Sequence, residues 1–181
     1  GNLAVKGGTV DKAVGSAIKV SGKADISGNS TLNVTGAYKG YVSKAGQQAT
    51  LLSADAINGR FANVADKTNG LIDSSVHQSA SDITVTLKRN DVGTVVPQSA
   101  YSGAKADAAK LEEVFRRFDT AKDNGTLTKA QENSAAVYTN STNMTATLFE
   151  QGTATRRHSL QNRIDQELMQ NSRFAGRLQD V

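Results

Sequence analysis

No apolar run in the first hundred residues is long enough to bury a face by itself. The runs at 3–5, 17–20, 24–26, 32–34, 41–42 and 50–52 are separated by Gly7-Gly8, Gly15, Gly22, Gly28-Asn29 and Gly36. Such fragments become stable when they stack as rungs that share one continuous core. Aromatic residues make up only 5% of the chain, and Trp is absent. A spherical core is hard to build from so few large side chains, whereas rows of small β-branched residues suit a solenoid. The expected fold is mainly β, then α. It consists of the end of a right-handed parallel β-helix capped by β-hairpins, followed by an α-helical linker region. An ordinary antiparallel sandwich is the alternative.

The composition breaks near Pro97. Residues 1–100 hold twelve of the sixteen Gly and no Glu, while residues 101–181 hold all five Glu. Turn-rich β structure is expected before the break and helix after it. The predicted organisation is β-helix rungs over 1–55, a β-hairpin cap over 56–97 and a helical region over 98–181. Asn58-Gly59 and Asn69-Gly70 are tight-turn signals between alternating runs. Ile83, Val85 and Leu87 alternate with polar residues, which predicts a strand with one buried face. Lys88, Arg89 and Asp91 are expected to keep the outer edge charged against strand addition.

In the second part, Ala108, Leu111, Val114, Phe115 and Phe118 recur at spacings of three and four and predict an amphipathic helix. The packing face of Leu111, Phe115 and Phe118 could dock on the same chain or build a homo-oligomer. Asn124-Gly125 should end this helix, and Thr128 with Gln131 forms a capping box for the next. A slim helix is expected over 133–149. In the last segment Leu160, Ile164 and Leu168 stand four apart among arginines.

Chemistry for an enzyme is thin. Cysteine is absent, which excludes disulfides, zinc-thiolate sites and a thiol nucleophile. The two histidines, His77 and His158, have no neighbouring Ser and Asp that spacing would assemble into a triad. No G-x-S-x-G elbow occurs. Residues 115–132 resemble a calcium-binding helix–loop–helix, yet Thr120, Lys122 and Gln131 stand where that loop needs carboxylates. No metal or cofactor is therefore expected. The net charge of +4 comes from scattered basic residues with few aromatics among them, which argues against nucleic acid. The chain opens Gly1-Asn2-Leu3 without a signal segment and reads as a piece of a longer protein. No apolar run approaches the length of a membrane-spanning helix.

The order Tyr38-Lys39-Gly40-Tyr41-Val42, then Gln48-Ala49-Thr50-Leu51-Leu52-Ser53-Ala54, then Ile57, Gly59, Phe61 and the alternating strand carries a resemblance. It resembles the C-terminal stem, or autochaperone region, of autotransporter passenger domains, the subtilisin-like serine protease members in particular. Ala135-Ala136-Val137-Tyr138, Ser141-Thr142 and Arg156-Arg157 are similar to their linker. The resemblance covers 32–89 well and 133–165 loosely. It implies a non-catalytic segment at the cell surface, or secreted, that nucleates folding of the passenger. Its partners would be its own upstream rungs and its own outer-membrane β-barrel. Any serine protease activity would belong to another part of the parent. The implied folding nucleus is Leu51, Leu52, Ile57, Phe61, Val64, Ile83, Val85 and Leu87, with Tyr38 and Tyr41 packed nearby. A β-helical adhesin, binding through its outer face, is the alternative function.

Overall fold

The computed structural model describes residues 1–35, 40–67, 71–140 and 149. It is mainly β with two helices. The strands are β1 (Leu3–Ala13), β2 (Ile18–Lys19), β3 (Lys23–Thr35), β4 (Gln47–Ser53), β5 (Ala56–Asn58), β6 (Asn63–Lys67), β7 (Ile72–Gln78) and β8 (Asp82–Arg89). The helices are α1 (Ala104–Asp123) and α2 (Lys129–Thr139). Two compact units result. One comprises Gly1–Lys39, Gly46–Thr68 and Asp73–Lys88; the other comprises Gly40–Ala45, Asn69–Ile72 and Arg89–Val181. The division is not linear, because short stretches from the β-rich half belong with the helices.

In the first unit β1, β3, β5 and β6 pair in parallel. Leu3 lies opposite Ala24 and Ala13 opposite Thr35, with one slip between Lys6 and Gly8. On the other side of β3, Ala24 faces Ile57 and Leu32 faces Val64. Parallel neighbours so close in sequence cannot be joined by a hairpin. The inward positions of β3, Ala24, Ile26, Leu32 and Val34, are buried, while Lys23, Asp25 and Ser27 are exposed. This is the period-two pattern of a strand with one covered face.

Asn58-Gly59 is not a hairpin turn. The strands on either side of it, β5 and β6, both run parallel to β3, so the dipeptide bends the chain between two segments on one side of β3. Gly59 has φ of +80°. A Cβ there would collide with the carbonyl oxygen of Ile26. Glycine is needed both for the left-handed backbone and for that close approach. Gly28 makes the equivalent bend in β3, with φ of +72° and the Gly7 amide 3.1 Å from where its Cβ would stand. The second expected turn, Asn69-Gly70, lies outside the described residues.

A second sheet has the order β2, β4, β8, β7, and in it the parallel order ends at β4. Its partner on one side is β2, in parallel, with Ile18 opposite Leu52. Its partner on the other side is β8, antiparallel from Gln47 opposite Leu87 to Ser53 opposite Asp82. β7 then lies beside β8. The connection at 79–81 is held by the Ser79 amide donating to the Asp82 carbonyl at 2.8 Å. Leu51, Leu52, Ile83, Val85 and Leu87 are buried as expected. Ile57 and Phe61 are only half-buried. Val64 is 49% exposed, which corrects its place in the expected nucleus. Among the described residues β6 pairs with β3 alone, so Val64 has a strand neighbour on one side only.

The second unit is built on α1. Ala108, Leu111, Val114, Phe115 and Phe118 form its buried stripe, joined by Tyr41, Val92, Ala135 and Phe149. Leu111, Phe115 and Phe118 are thus buried against residues of their own chain. Tyr41, expected near the strand nucleus, packs here against Phe118, with ring centroids 6.0 Å apart. Tyr38 lies outside the described residues. α1 stops at Asn124 and Gly125, whose φ is +69°. α2 starts with the expected capping box, Gln131 N donating to Thr128 Oγ1 at 3.2 Å and Thr128 N to Gln131 Oε1 at 2.9 Å. Its described length ends at Thr139. The segment with Leu160, Ile164 and Leu168 lies outside the described residues, as does His158. No helix among the described residues is long and apolar enough to cross a membrane.

Candidate functional site

Strand period places the main feature of the second unit. Ile83, Val85 and Leu87 point inward, and two residues further on so does Arg89. Its guanidinium is fully buried, whereas its neighbour Lys88 is exposed. This corrects the expectation that Arg89 guards an outer edge. Asp91 does stay at the surface, where it pairs with Lys44.

A buried guanidinium must find acceptors. Arg89 Nη1 donates to Glu112 Oε1 at 2.7 Å, and Nη2 reaches Glu112 Oε2 at 3.1 Å. Nη2 also donates to Asp119 Oδ2 at 2.6 Å. The guanidinium carbon lies 5.4 Å from the centroid of Phe115. Glu112 and Asp119 are seven residues apart on α1, two turns, with Phe115 between them. Both therefore border the apolar stripe on the side that meets Arg89. Glu112 Oε1 also accepts from the Val92 amide at 3.0 Å. Lys44 and Arg116 approach Glu112 Oε2 at 3.9 and 3.6 Å.

Tyr41 completes the network. Its hydroxyl donates to Asp119 and lies 3.1 Å from the Phe115 carbonyl. Burial pushes this hydroxyl well above the usual phenol range; Arg89 opposes the shift and Asp119 adds to it. Burial alone would lower the Arg89 pKa, but its bonds to Glu112 and Asp119, with the nearby Tyr41, more than offset this and raise it. Asp91 is held below the ordinary carboxylate range chiefly by its bond to Lys44. Lys122 donates to the Tyr41 carbonyl and stands 3.7 Å from Glu132.

Chemically, this arrangement fixes positions. Each carboxylate that touches Arg89 is bidentate or shared, and the tyrosine hydroxyl is held as a donor. A groove of about 530 Å³ is lined by Val96, Pro97, Ala100, Tyr101 and Ala104, and Lys105 brings its one side-chain cation. The described residues hold no cluster of His, Cys, Asp and Glu fit for a metal ion. His77 is exposed on β7. The sequence reading found the Leu111, Phe115 and Phe118 face but missed Arg89, Glu112, Asp119 and the docking of Tyr41. No family model, curated protein or solved structure matches this chain.

Proposed function

We propose that the chain is the non-catalytic stem and autochaperone of an autotransporter passenger, whose strands are the last rungs of a right-handed β-helix. The observation that carries this reading is the pairing of β3. It is flanked in parallel by β1 and by β5 and β6, and in the second sheet the parallel pair of β2 and β4 ends on the antiparallel β8. A rung needs a neighbour on which to lay its backbone, and a closed end gives the first rung a fixed template. The nucleus is Leu51, Leu52, Ile83, Val85 and Leu87, with Ile57 and Phe61 at its margin. Upstream rungs of the same polypeptide would add along β1, which pairs with β3 alone among the described residues. The helical region would lead towards the parent's own outer-membrane β-barrel, and the parent would be a secreted or surface-held subtilisin-like serine protease. An adhesin would be expected to show an exposed apolar patch. Val64 is the only large hydrophobic exposed among the described residues.

The test is Leu52→Asp in the full-length parent, scored by surface display and by protease resistance of the passenger. Loss of both is expected. Unchanged display and unchanged resistance would overturn the reading.

A further inference from the structure

The Gly40–Ala45 segment is held in the manner of a bound peptide. It is neither helix nor strand. Its backbone polar groups are met mostly by side chains. Asn140 Nδ2 donates to the Gly40 carbonyl at 2.8 Å. The Tyr41 amide donates to Glu132 Oε1 at 3.0 Å, and Lys122 Nζ donates to the Tyr41 carbonyl. The Ser43 carbonyl accepts from the Arg89 amide at 3.1 Å, and the Lys44 amide reaches Asp119 Oδ2 at 3.4 Å. Tyr41 and Val42 are completely buried. An aromatic anchor in a closed pocket beside a backbone read by fixed polar groups is how proteins recognise extended peptides.

The groups that read the segment also hold one another. Asp119 is tied to Arg89, Arg89 to Glu112, and Glu112 to the Val92 amide. Glu132 faces Lys122. Because these contacts do not involve residues 40–45, the site is ordered before the segment arrives, and little conformational freedom remains to be lost on docking. We infer that α1, α2 and residues 89–92 form a peptide-binding site. Its ligand is an extended Tyr-Val-Ser-Lys segment, supplied here by the chain itself. The site reads the tyrosine hydroxyl through Asp119 and the backbone through Glu132, Lys122 and Asn140. It accepts the same peptide in trans when its own anchor is removed. This does not depend on the export reading.

The experiment uses the 181-residue chain carrying Tyr41→Ala and a fluorescent peptide of residues 39–46, followed by anisotropy. Saturable binding is expected. The peptide carrying Tyr41→Phe should bind about tenfold more weakly, the effect of one lost hydrogen bond to a charged acceptor. The wild-type chain, whose site is filled, should also bind the peptide at least about tenfold more weakly. A Tyr41→Ala chain that keeps its helical circular dichroism yet ignores the peptide, or binds a scrambled one equally, overturns the inference. If Tyr41→Ala loses its helices, Asp119→Asn in the otherwise wild-type chain decides. Tryptic cleavage after Lys44 should then rise about tenfold while cleavage after Lys23 in β3 stays constant. An equal rise at both positions, or none after Lys44, refutes it.

Discussion

Replacing Arg89 by Met tests whether the buried network holds the helical unit together. The side chain is wholly inaccessible and makes three short bonds, of 2.7, 3.1 and 2.6 Å, to two carboxylates. Met fills similar volume and stacks acceptably on Phe115, so the lost packing is minor. What remains is two largely buried carboxylates: Asp119 loses its ion pair, and Glu112 keeps only the more exposed Lys44 and Arg116 at 3.9 and 3.6 Å. Breaking such a pair from one side costs about 3–5 kcal/mol. The triple variant Arg89→Met, Glu112→Gln, Asp119→Asn removes the charges but keeps acceptors for the Val92 amide and the Tyr41 hydroxyl. Its cost should fall to about 1–2 kcal/mol, since no buried charge is orphaned. Urea unfolding followed at 222 nm reports α1 and α2 directly, and midpoints at unchanged m-value give the differences. A cost below about 1 kcal/mol for Arg89→Met would place this network with ordinary surface ion pairs. A triple variant no better than the single one would show that size and shape, not charge, set the penalty.

Three further outcomes follow from the same geometry. The raised Tyr41 pKa means its proton is retained in the folded state after the unfolded chain has lost it. Stability from this group is complete below the unfolded value of about 10 and falls by about 1.4 kcal/mol per pH unit above it. Subtracting a Tyr41→Phe pH profile isolates the slope, and parallel profiles would count against it. Gly59→Ala should lower the urea midpoint of the strand signal by the equivalent of roughly 1–3 kcal/mol, while Gly93→Ala, with open space around it, should be neutral or slightly stabilising; equal effects would remove the role given to the bend. Leu52→Ser should cost about 2–5 kcal/mol by the same measurement, and Val64→Ser less than about 0.5, because the first side chain is 6% exposed and the second 49%.

Much of the strand unit is legible in the sequence because glycine spacing and period-two alternation are local signals. The stacking of short runs predicts parallel neighbours, yet β1 and β3 run on through Gly7-Gly8 and Gly28-Asn29, which the glycine spacing marks as breaks. The inward face of β8 follows from alternation, whereas β4 buries the adjacent Leu51 and Leu52 across an irregularity in its register. Asn58-Gly59 shows where local reading stops. A positive-φ glycine serves a hairpin and an in-sheet bend equally well, and only the register against β3 separates them. The misplacement of Val64 has the same origin. Alternation says which way a side chain points, not whether another strand lies beyond it. The capping box and the Asn124-Gly125 stop read correctly because both are satisfied within a few residues.

The buried network was hidden by a conflict between residue type and position. As a charged residue at a strand end, Arg89 reads as an edge guard; by parity with Ile83, Val85 and Leu87 it must face inward. Parity prevailed because α1 carries the compensating charges. Those partners lie 23 and 30 residues away, beyond any local pattern. A charge on an inward position nevertheless leaves few choices: the strand ends before it, or acids wait on the element that covers it. All five Glu follow residue 101, and among the α1 acids Glu112 and Asp119 are the pair two turns apart that brackets Phe115. Once the strand is carried through to residue 89, that spacing picks out the carboxylates Arg89 can reach together. The tyrosine that docks on the same aspartate then becomes the place to look for what the helices recognise.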